Sequence, residues 1–460
     1  MFQPVIFREY DIRGVVSKDF DLDFPRDLGR AFAAELKRRG IDAFSKSAKV
    51  TVGHDARHSS PAIRDQLILG MMESGLHVID LGLVTSPISY FSTFTLAGVV
   101  GGVMITGSHN PPDYNGFKVS IGKQTIFGEA IQDLRRILEK GDFISAGQGS
   151  KESIDIFPSY IDRYQKEFGQ IKDIKVVLDC GNGAAGVIVR RLFEAVGLHP
   201  TILFEKPDGT FPNHHPDPTV EKNMKSLAQE VVKQGAVVGI GFDGDADRIG
   251  VLDEKGKMVY GDELMVLISR SILQHSPSAK IIGDVKCSDR LFADIQKNGG
   301  QPIMWKTGHS LIKEKIKVEN APFGGEMSGH IFFADRNYGY DDALYAGLRV
   351  CEILAKSGRT ISQLLAGLPQ AFNTPEIRID TTEEKKILIV EKLKQAFPPS
   401  NRENYRVNLT DGVRVSFPDG WALARSSNTQ PVLVMRFESS TLAGMERIKN
   451  SFEKIVQKYL

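Results

Sequence analysis

Short apolar runs recur along the chain, each followed by a polar or glycine-containing loop and then by an amphipathic stretch. Lys49-Val50-Thr51-Val52-Gly53 predicts a strand, residues 62–74 a helix, and His77-Val78-Ile79-Asp80-Leu81 a second strand. The same order returns with Lys175-Val176-Val177-Leu178-Asp179, a helix over 187–196 and Thr201-Ile202-Leu203-Phe204. It returns again with Lys280-Ile281-Ile282-Gly283-Asp284-Val285, a helix over 290–296 and Gln301-Pro302-Ile303-Met304-Trp305. Each helix runs into a glycine, Gly75, Gly197 or Gly299, the residue that most easily closes a helix C-terminus. Strands alternating with helices in this way predict three α/β units on largely parallel strands.

The last ninety or so residues follow another pattern. Pro375-Glu376-Ile377-Arg378-Ile379 predicts a strand, residues 383–397 a helix, and Val413-Arg414-Val415-Ser416-Phe417 with Trp421-Ala422-Leu423-Ala424 a hairpin turned at Pro418-Asp419-Gly420. A final helix sets Met445, Ile448, Phe452, Ile455 and Tyr459 on one face. This is the pattern of a smaller α+β domain. Boundaries are expected at the polar stretch 141–151, at the turn Asp253-Glu254-Lys255-Gly256-Lys257 and at Gly367-Leu368-Pro369. The domains are then 1–150, 151–255, 256–368 and 369–460.

A chain of 460 residues has room for that many domains, at about 100 to 150 residues each. Lys and Arg number 58 against 57 Asp and Glu, so no global field favours nucleic acid or an anionic membrane, and an anionic ligand must be held by local clusters. Cys180, Cys287 and Cys351 are odd in number, widely spaced and without metal-site spacing, which excludes a disulfide scaffold and points to a reduced, cytoplasmic setting. The first residues carry charge too early for a secretory signal, and no apolar run approaches the roughly 18 to 20 residues of a membrane span.

Chemistry enters at the loops. Thr106-Gly107-Ser108-His109-Asn110-Pro111-Pro112 follows the apolar run 99–105, a setting that presents the Ser108 hydroxyl at the rim of a sheet. Asp243-Gly244-Asp245-Ala246-Asp247-Arg248 lies between two apolar runs, and three carboxylates at alternate positions of a tight loop suit a hard cation such as Mg²⁺. Their mutual repulsion is what a cation relieves. An EF-hand is excluded because Arg248 stands where that loop needs glycine and both flanks read as strands. An aspartyl-phosphate phosphatase of the haloacid-dehalogenase type, with Asp243 as nucleophile, stays open, although Asp247 stands where such enzymes usually have Thr or Val.

Gly181-Asn182-Gly183-Ala184-Ala185-Gly186, with Glu205 after the next strand, meets the spacing of a dinucleotide fingerprint. It leaves an NAD-dependent dehydrogenase as a second alternative, against a reading in which small residues only let a helix pack on its strand. Arg425-Ser426-Ser427-Asn428-Thr429-Gln430-Pro431 offers a guanidinium fork, hydroxyls and an amide to a phosphate dianion. Gly324-Gly325-Glu326-Met327-Ser328-Gly329-His330 offers a carboxylate, a hydroxyl and an imidazole to vicinal sugar hydroxyls. Lys306-Thr307-Gly308-His309-Ser310 and Arg8-Glu9-Tyr10-Asp11-Ile12-Arg13-Gly14 add cations and a phenol. The first two are also compatible with ordinary polar turns, and the last two with surface salt bridging.

Taken together and in this order, Tyr10-Asp11-Ile12-Arg13-Gly14, Thr106-Gly107-Ser108-His109-Asn110-Pro111, the Asp243–Arg248 loop, Gly325-Glu326-Met327-Ser328-Gly329-His330 and Arg425-Ser426-Ser427-Asn428-Thr429 resemble the α-D-phosphohexomutase superfamily, and within it the bacterial phosphomannomutase/phosphoglucomutase group. The resemblance spans essentially the whole chain. It implies three tandem mixed-sheet α/β domains and a smaller C-terminal α+β domain of TATA-box-binding-protein-like topology, set around a central cleft to which each domain contributes a loop.

It also implies roles. Ser108 would carry the phosphoryl group, and Asp243, Asp245 and Asp247, with a phosphoserine oxygen, would hold Mg²⁺. Arg248 and His109 would orient that group. Lys118, His309 and His330, with Arg13 nearby, would move protons. Gly325, Glu326, Met327, Ser328 and Gly329 would grip the sugar, Tyr10 and Lys286 would line the cleft, and Arg425, Ser426, Ser427, Asn428 and Thr429 would hold the phosphate that is not reacting. The implied reaction exchanges phosphate between C1 and C6 of mannose or glucose through a hexose 1,6-bisphosphate. The implied partner is a small sugar phosphate, with no nucleic acid and no membrane, and the enzyme is expected as a monomer, with a dimer as the alternative. Met327 resembles the mannose/glucose group more than the phosphoglucosamine mutases, which tend to carry Gln there and remain the nearest alternative.

Overall fold

Four β-sheets carry the fold in the computed structural model, which describes residues 2–399, 405–427 and 431–460. The chain groups into two compact units, one of residues 1–260 and 328–364, the other of 261–327 and 365–460.

The first sheet of the first unit has the order Ile12–Val15, Tyr114–Ile121, Val99–Ile105, Lys49–His54, His77–Leu83, Ser150–Ser153, with Gln124–Thr125 on Tyr114–Ile121. Lys49–His54 runs parallel to both of its neighbours, while Tyr114–Ile121 runs antiparallel to Val99–Ile105 and to Ile12–Val15, so the sheet is mixed. Helices Asp23–Arg38, Ser60–Glu73 and Glu129–Lys140 bury Leu28, Phe32, Leu67, Met71, Ile131 and Leu134 against Val50, Val52 and Val103. The glycines expected after helices have left-handed backbones: Gly75, Gly197 and Gly299 lie at φ +95°, +86° and +84°. Ser150–Ser153 pairs with His77–Leu83, so residues up to 153 belong to this sheet, three beyond the boundary expected at 150.

The second sheet is ordered Met258–Val259, Ile249–Leu252, Val238–Phe242, Val176–Asp179, Thr201–Leu203. Here too parallel and antiparallel pairs mix. Met258–Val259 closes its edge, so the turn at 253–257 lies inside the sheet's own meander. Ala343–Ser357, far along the chain, packs on Val238–Phe242 and Ile249–Leu252, which is how residues 328–364 come to share this unit.

In the second unit, Lys280–Asp284 lies between Gln301–Trp305 and Phe323–Gly325, all parallel. Gly261–Leu273, Asp289–Lys297 and His309–Glu319 are its helices. The last sheet is antiparallel, in the order Phe372–Asn373, Val432–Ser439, Gly420–Ser426, Val413–Phe417, Arg406–Asn408, with Ile377–Asp380 also on Val432–Ser439. Glu383–Ala396 and Leu442–Val456 cover one face and bury Ile389, Leu393, Ile448 and Phe452. Its hairpin turns on Pro418 and Asp419 alone. Gly420, expected in the turn, pairs with Phe417 and is the first residue of the returning strand. No helix among the described residues is long and apolar enough to cross a membrane.

Candidate active site

Ser108 sits in the loop between Val99–Ile105 and Tyr114–Ile121, buried, with a left-handed backbone at φ +48°. A pair that the sequence reading did not single out, Asp55 and Arg57, holds that conformation. Arg57 is fully buried and donates to the carbonyl oxygens of Ser108 (2.8 Å), Asn110 (2.6 Å), Tyr114 (2.9 Å) and Pro111. Asp55 accepts from Thr106 Oγ1 (2.9 Å), Gly107 N (3.1 Å), Ser60 Oγ (2.6 Å) and Arg57 N (3.0 Å). The signal available for them was a charged Asp-x-Arg directly after a buried strand.

The serine hydroxyl donates to Asp243 Oδ2 at 2.9 Å and lies 3.1 Å from His109 Nδ1. Asp243 directly follows the strand Val238–Phe242, and its other oxygen accepts the amides of Asp247 (3.1 Å) and Arg248 (3.2 Å), which curls the loop back. Gly244 is required here, because a Cβ on it would stand 2.4 Å from the Ser108 carbonyl oxygen. Asp245 Oδ2 accepts from Ser86 Oγ (2.5 Å) and from Lys118 Nζ (2.7 Å), and Lys118 also donates to Asp247 Oδ2.

Asp243, Asp245 and Asp247 each present an oxygen within 4.8 Å of the others, and all three are buried. Oδ1 of Asp245 and Oδ1 of Asp247 are buried acceptors without a hydrogen-bond partner among the described residues. Burial, reinforced by Asp247 and Asp245, pushes the Asp243 carboxyl well above the usual range. Three crowded carboxylates with two orphaned oxygens and hard donors throughout fit a divalent cation of the Mg²⁺ kind. Lys118 is buried, which disfavours its charge, but Asp245 and Asp247 outweigh burial and hold it as an ammonium.

Arg248 links the loop to two imidazoles. Its Nη2 donates to His109 Nδ1 (2.7 Å) and its Nε to His330 Nε2 (3.1 Å). A guanidinium can only donate, so both of those ring nitrogens are acceptors. Burial, then Arg248 and Arg13, push His109 well below its ordinary value, in keeping with an unprotonated Nδ1. His330 reaches the loop because Ile249 N donates to Gly329 O (3.0 Å) and Arg248 bridges His330. Its Nδ1 lies 2.9 Å from Asp341 Oδ2, an acid that the sequence reading passed over. Arg13, on Ile12–Val15, donates to Asn110 Oδ1 (3.0 Å) and to Asp11, while Tyr10 is buried just before it. Ser328 and Gly329 also belong to this unit.

The remaining expected residues lie in the second unit. Asp284, at the end of its strand, accepts from Thr307 Oγ1 (2.9 Å) and from Met327 N (3.2 Å). Glu326 is buried and accepts from Gly308 N, at the start of the helix that opens with His309. Gly325 ends the strand Phe323–Gly325. Lys286 lies 3.3 Å from Glu376 and 3.9 Å from Asp284, and these acids keep it charged against the effect of burial. Arg425 and Ser426, expected in a loop, are the last residues of the strand Gly420–Ser426. Arg425 Nε donates to Asp411 Oδ2 (2.8 Å), an acid that also accepts from Thr307 N (3.1 Å). Ser427 follows, and Lys386 donates to its carbonyl (2.7 Å). Asn428 and Thr429 lie outside the described residues.

The dinucleotide-like turn has a packing role. A Cβ on Gly186 would meet the Glu205 carbonyl oxygen at 1.7 Å, Ala184 N donates to Gly244 O (2.9 Å), and the Glu205 carboxylate is taken by Arg190 at 2.6 and 2.9 Å. The turn continues as the 3-10 segment Ala184–Val187, which does not offer the α-helix N-terminus that binds a pyrophosphate. The segment therefore braces the acidic loop.

Family models for phosphoglucomutase/phosphomannomutase match all along the chain: alpha/beta/alpha domain I at residues 4–145, domain II at 158–256, domain III at 260–372 and the C-terminal domain at 376–455. The chain belongs to the phosphoglucomutase/phosphomannomutase family. A phosphomannomutase/phosphoglucomutase of Pseudomonas aeruginosa is 45% identical over 97% of this chain and 94% of its own length. A phosphoglucomutase of Neisseria gonorrhoeae is 42% identical over 98% of this chain and 96% of its own. The crystal structure of a phosphoglucomutase/phosphomannomutase family protein from Burkholderia thailandensis superposes with a TM-score of 0.91 at 40% identity, covering 100% of this chain and 98% of that one. The α/β architecture with a separate C-terminal domain is thus the family's.

Proposed function

We propose that this chain is an isomerase that exchanges phosphate between C1 and C6 of mannose phosphates, glucose phosphates or both, with Ser108 as the phosphoryl carrier. The observation that carries the reading is the Ser108 hydroxyl donating at 2.9 Å to a carboxylate triad that keeps two orphaned buried oxygens. Relatives at 42–45% identity whose names are phosphoglucomutase and phosphomannomutase/phosphoglucomutase support the substrate class.

In the first half-reaction a hexose hydroxyl oxygen bonds to the phosphorus on Ser108, the P–Oγ bond breaks, and the hydroxyl proton passes to the protein, for which His330 stands beside Arg248 and the triad. The product is a hexose 1,6-bisphosphate. After it turns over, Ser108 Oγ bonds to the other phosphorus, the old ester bond breaks, and a proton returns to the sugar oxygen. Asp243, Asp245 and Asp247 would hold Mg²⁺, which when bound neutralises charge on the transferring group. Arg248, Lys118 and Arg13 supply further fixed positive charge. His109 accepts from Arg248 and so keeps that guanidinium beside Oγ. Lys286, His309, Glu326 and Met327 are assigned to the sugar, and Arg425 to Ser427, with Asn428 and Thr429, to the distant phosphate. Uncatalysed phosphate-monoester cleavage is slow enough that enhancements near ~10²¹ are known, so positioning and electrostatics must supply most of the effect.

The enzyme is read as a cytoplasmic monomer primed by hexose 1,6-bisphosphate. The test is turnover of glucose 1-phosphate, mannose 1-phosphate and glucosamine 1-phosphate side by side, with and without Mg²⁺, with peptide mass analysis of Ser108 after treatment with glucose 1,6-bisphosphate. Mg²⁺-dependent turnover of the first two, with phosphate on Ser108, is expected. Phosphate on Asp243 would move the assignment to an aspartyl-phosphate enzyme, and preference for glucosamine 1-phosphate would move it to the phosphoglucosamine mutases.

A further inference from the structure

In the second unit a chain of hydrogen bonds joins the arginine assigned to the distant phosphate to the loop assigned to the sugar, and it passes through one acid outside both motifs. Asp411 lies in the turn between the strands Arg406–Asn408 and Val413–Phe417. Its Oδ2 accepts from Arg425 Nε at 2.8 Å and from Thr307 N at 3.1 Å. Thr307 Oγ1 donates in turn to Asp284 Oδ2 (2.9 Å), Asp284 Oδ1 accepts from Met327 N (3.2 Å), and Gly308 N donates to Glu326.

The turn is shaped to reach Arg425. Gly412 lies at φ +79°, and a Cβ on it would stand 2.7 Å from Arg425 Cα, so this approach requires glycine. Thr410 N donates to Asn408 Oδ1 (2.8 Å), which closes the turn, and Asn408 Nδ2 lies 3.4 Å from Met304 Sδ. Three residues on, Arg414 donates to the carbonyl oxygens of Cys287 (2.8 Å) and Val285. None of these bonds uses the Asp411 side chain, so the hairpin keeps its seat without it. A guanidinium carries its five N–H donors in one rigid plane, so a carboxylate that holds Nε also sets the direction of both Nη groups. The side chains of Arg425 and Asp411 are 6% and 13% exposed, which leaves water little room to compete for the pair.

We propose that Asp411 is a positioning residue for substrate binding: anchored on Thr307 N, it aims the Arg425 guanidinium and fixes its distance from the sugar loop, so that phosphate and sugar are gripped in register. Asp411 acts through Arg425 rather than on substrate. The inference rests on the mutase reading, which assigns Arg425 to the phosphate that is not reacting and Glu326 and Met327 to the sugar.

Asp411→Ala removes both bonds. It should raise KM for glucose 1-phosphate and glucose 6-phosphate alike by roughly tenfold or more, with kcat within about threefold, as when binding is lost equally in ground and transition states. Asp411→Asn keeps an oxygen where the two N–H groups converge and should recover most of that loss. Added to Arg425→Ala, Asp411→Ala should cost no more than about twofold further, because its effect passes through that guanidinium. Hydrogen exchange at the Thr307 amide reads the anchor without substrate, and it should quicken in Asp411→Ala. Unchanged exchange at that amide, an Asn variant as impaired as the Ala variant, or a second loss as large as the first overturns the role. A raised KM in Arg425→Ala with an unaltered KM in Asp411→Ala sinks the role alone and leaves the mutase reading standing. Absence of glucose phosphate turnover in the unaltered enzyme, with exchange at Thr307 responding as expected, sinks the mutase reading and this role with it.

Discussion

Replacing Arg57 with methionine keeps the length of the side chain and removes the guanidinium. The carbonyls of Ser108, Asn110, Pro111 and Tyr114 then lose a donor, and Asp55 loses its buried cation. Removing one partner of a buried pair costs about 3–5 kcal/mol. Asp55 keeps Ser60 Oγ, Thr106 Oγ1 and the amides of Gly107 and residue 57, so the cost falls at the lower end, about 3 kcal/mol. If that cost is local, opening of the serine loop becomes roughly 100-fold more frequent. Hydrogen exchange measures this at the amides of Thr106, Asn110 and Tyr114, which bond to Gly116, Gly107 and Pro111. Amides of Val176–Asp179, in the neighbouring sheet, serve as the control. Phosphorylation of Ser108 by glucose 1,6-bisphosphate should slow in the same variant, since the left-handed serine is no longer held. Exchange within about threefold of the unaltered protein at those three amides would refute the argument that Arg57 fixes this loop.

Two further outcomes are expected. Burial raises Asp342 to about 6 from an ordinary 3.8, so between these values the folded protein holds a proton that the unfolded chain has lost, and this group's contribution to stability falls as pH rises toward 6. Asp342→Asn should therefore gain on the unaltered protein by up to roughly 3 kcal/mol between pH 4 and pH 7, read from protection of the helix Ala343–Ser357, and a pH-independent difference would contradict the assignment. Arg425→Ala should weaken hexose 1-phosphate and hexose 6-phosphate alike by roughly 1.5–3 kcal/mol in calorimetry, the value of a charge-assisted hydrogen bond, and a loss confined to one of them would show that Arg425 serves only one binding orientation.

Periodicity located most elements because helices here end at glycine and strands carry branched apolar residues. It failed where the signal is not in the local pattern. Ser150–Ser153 is polar throughout and exposed at every position, since an edge strand needs only main-chain partners. Ala343–Ser357 is buried on nearly every side, so its pattern identifies a helix without naming the sheet it covers. That sheet is the second, and the chain segment that supplies the helix is some ninety residues downstream of it, a pairing that alternation along the sequence does not encode.

The residues that make the chemistry legible are those whose neighbours are also constrained: a serine between glycine and proline, three acids separated by small residues. The residues that hold them are spelled more plainly. Asp55, Arg57 and Ser86 are single polar side chains at the ends of buried elements, and each reaches a partner that is far away in sequence, while Asp341 meets His330 across a turn. Their placement follows from charge. Three carboxylates share a buried loop with Lys118 and Arg248, and both cations are held in their charged forms. With all three ionised, two positive charges against three leave an excess that burial makes costly, which is what pushes the Asp243 carboxyl well above the usual range. A dication turns that excess into one net positive charge, and a phosphoryl dianion on Ser108 then brings the group back only to the single negative charge it had before. On this account the cation is what makes the serine loadable: without it the dianion would meet the triad's own excess, and three negative charges would stand uncompensated where the cation leaves one.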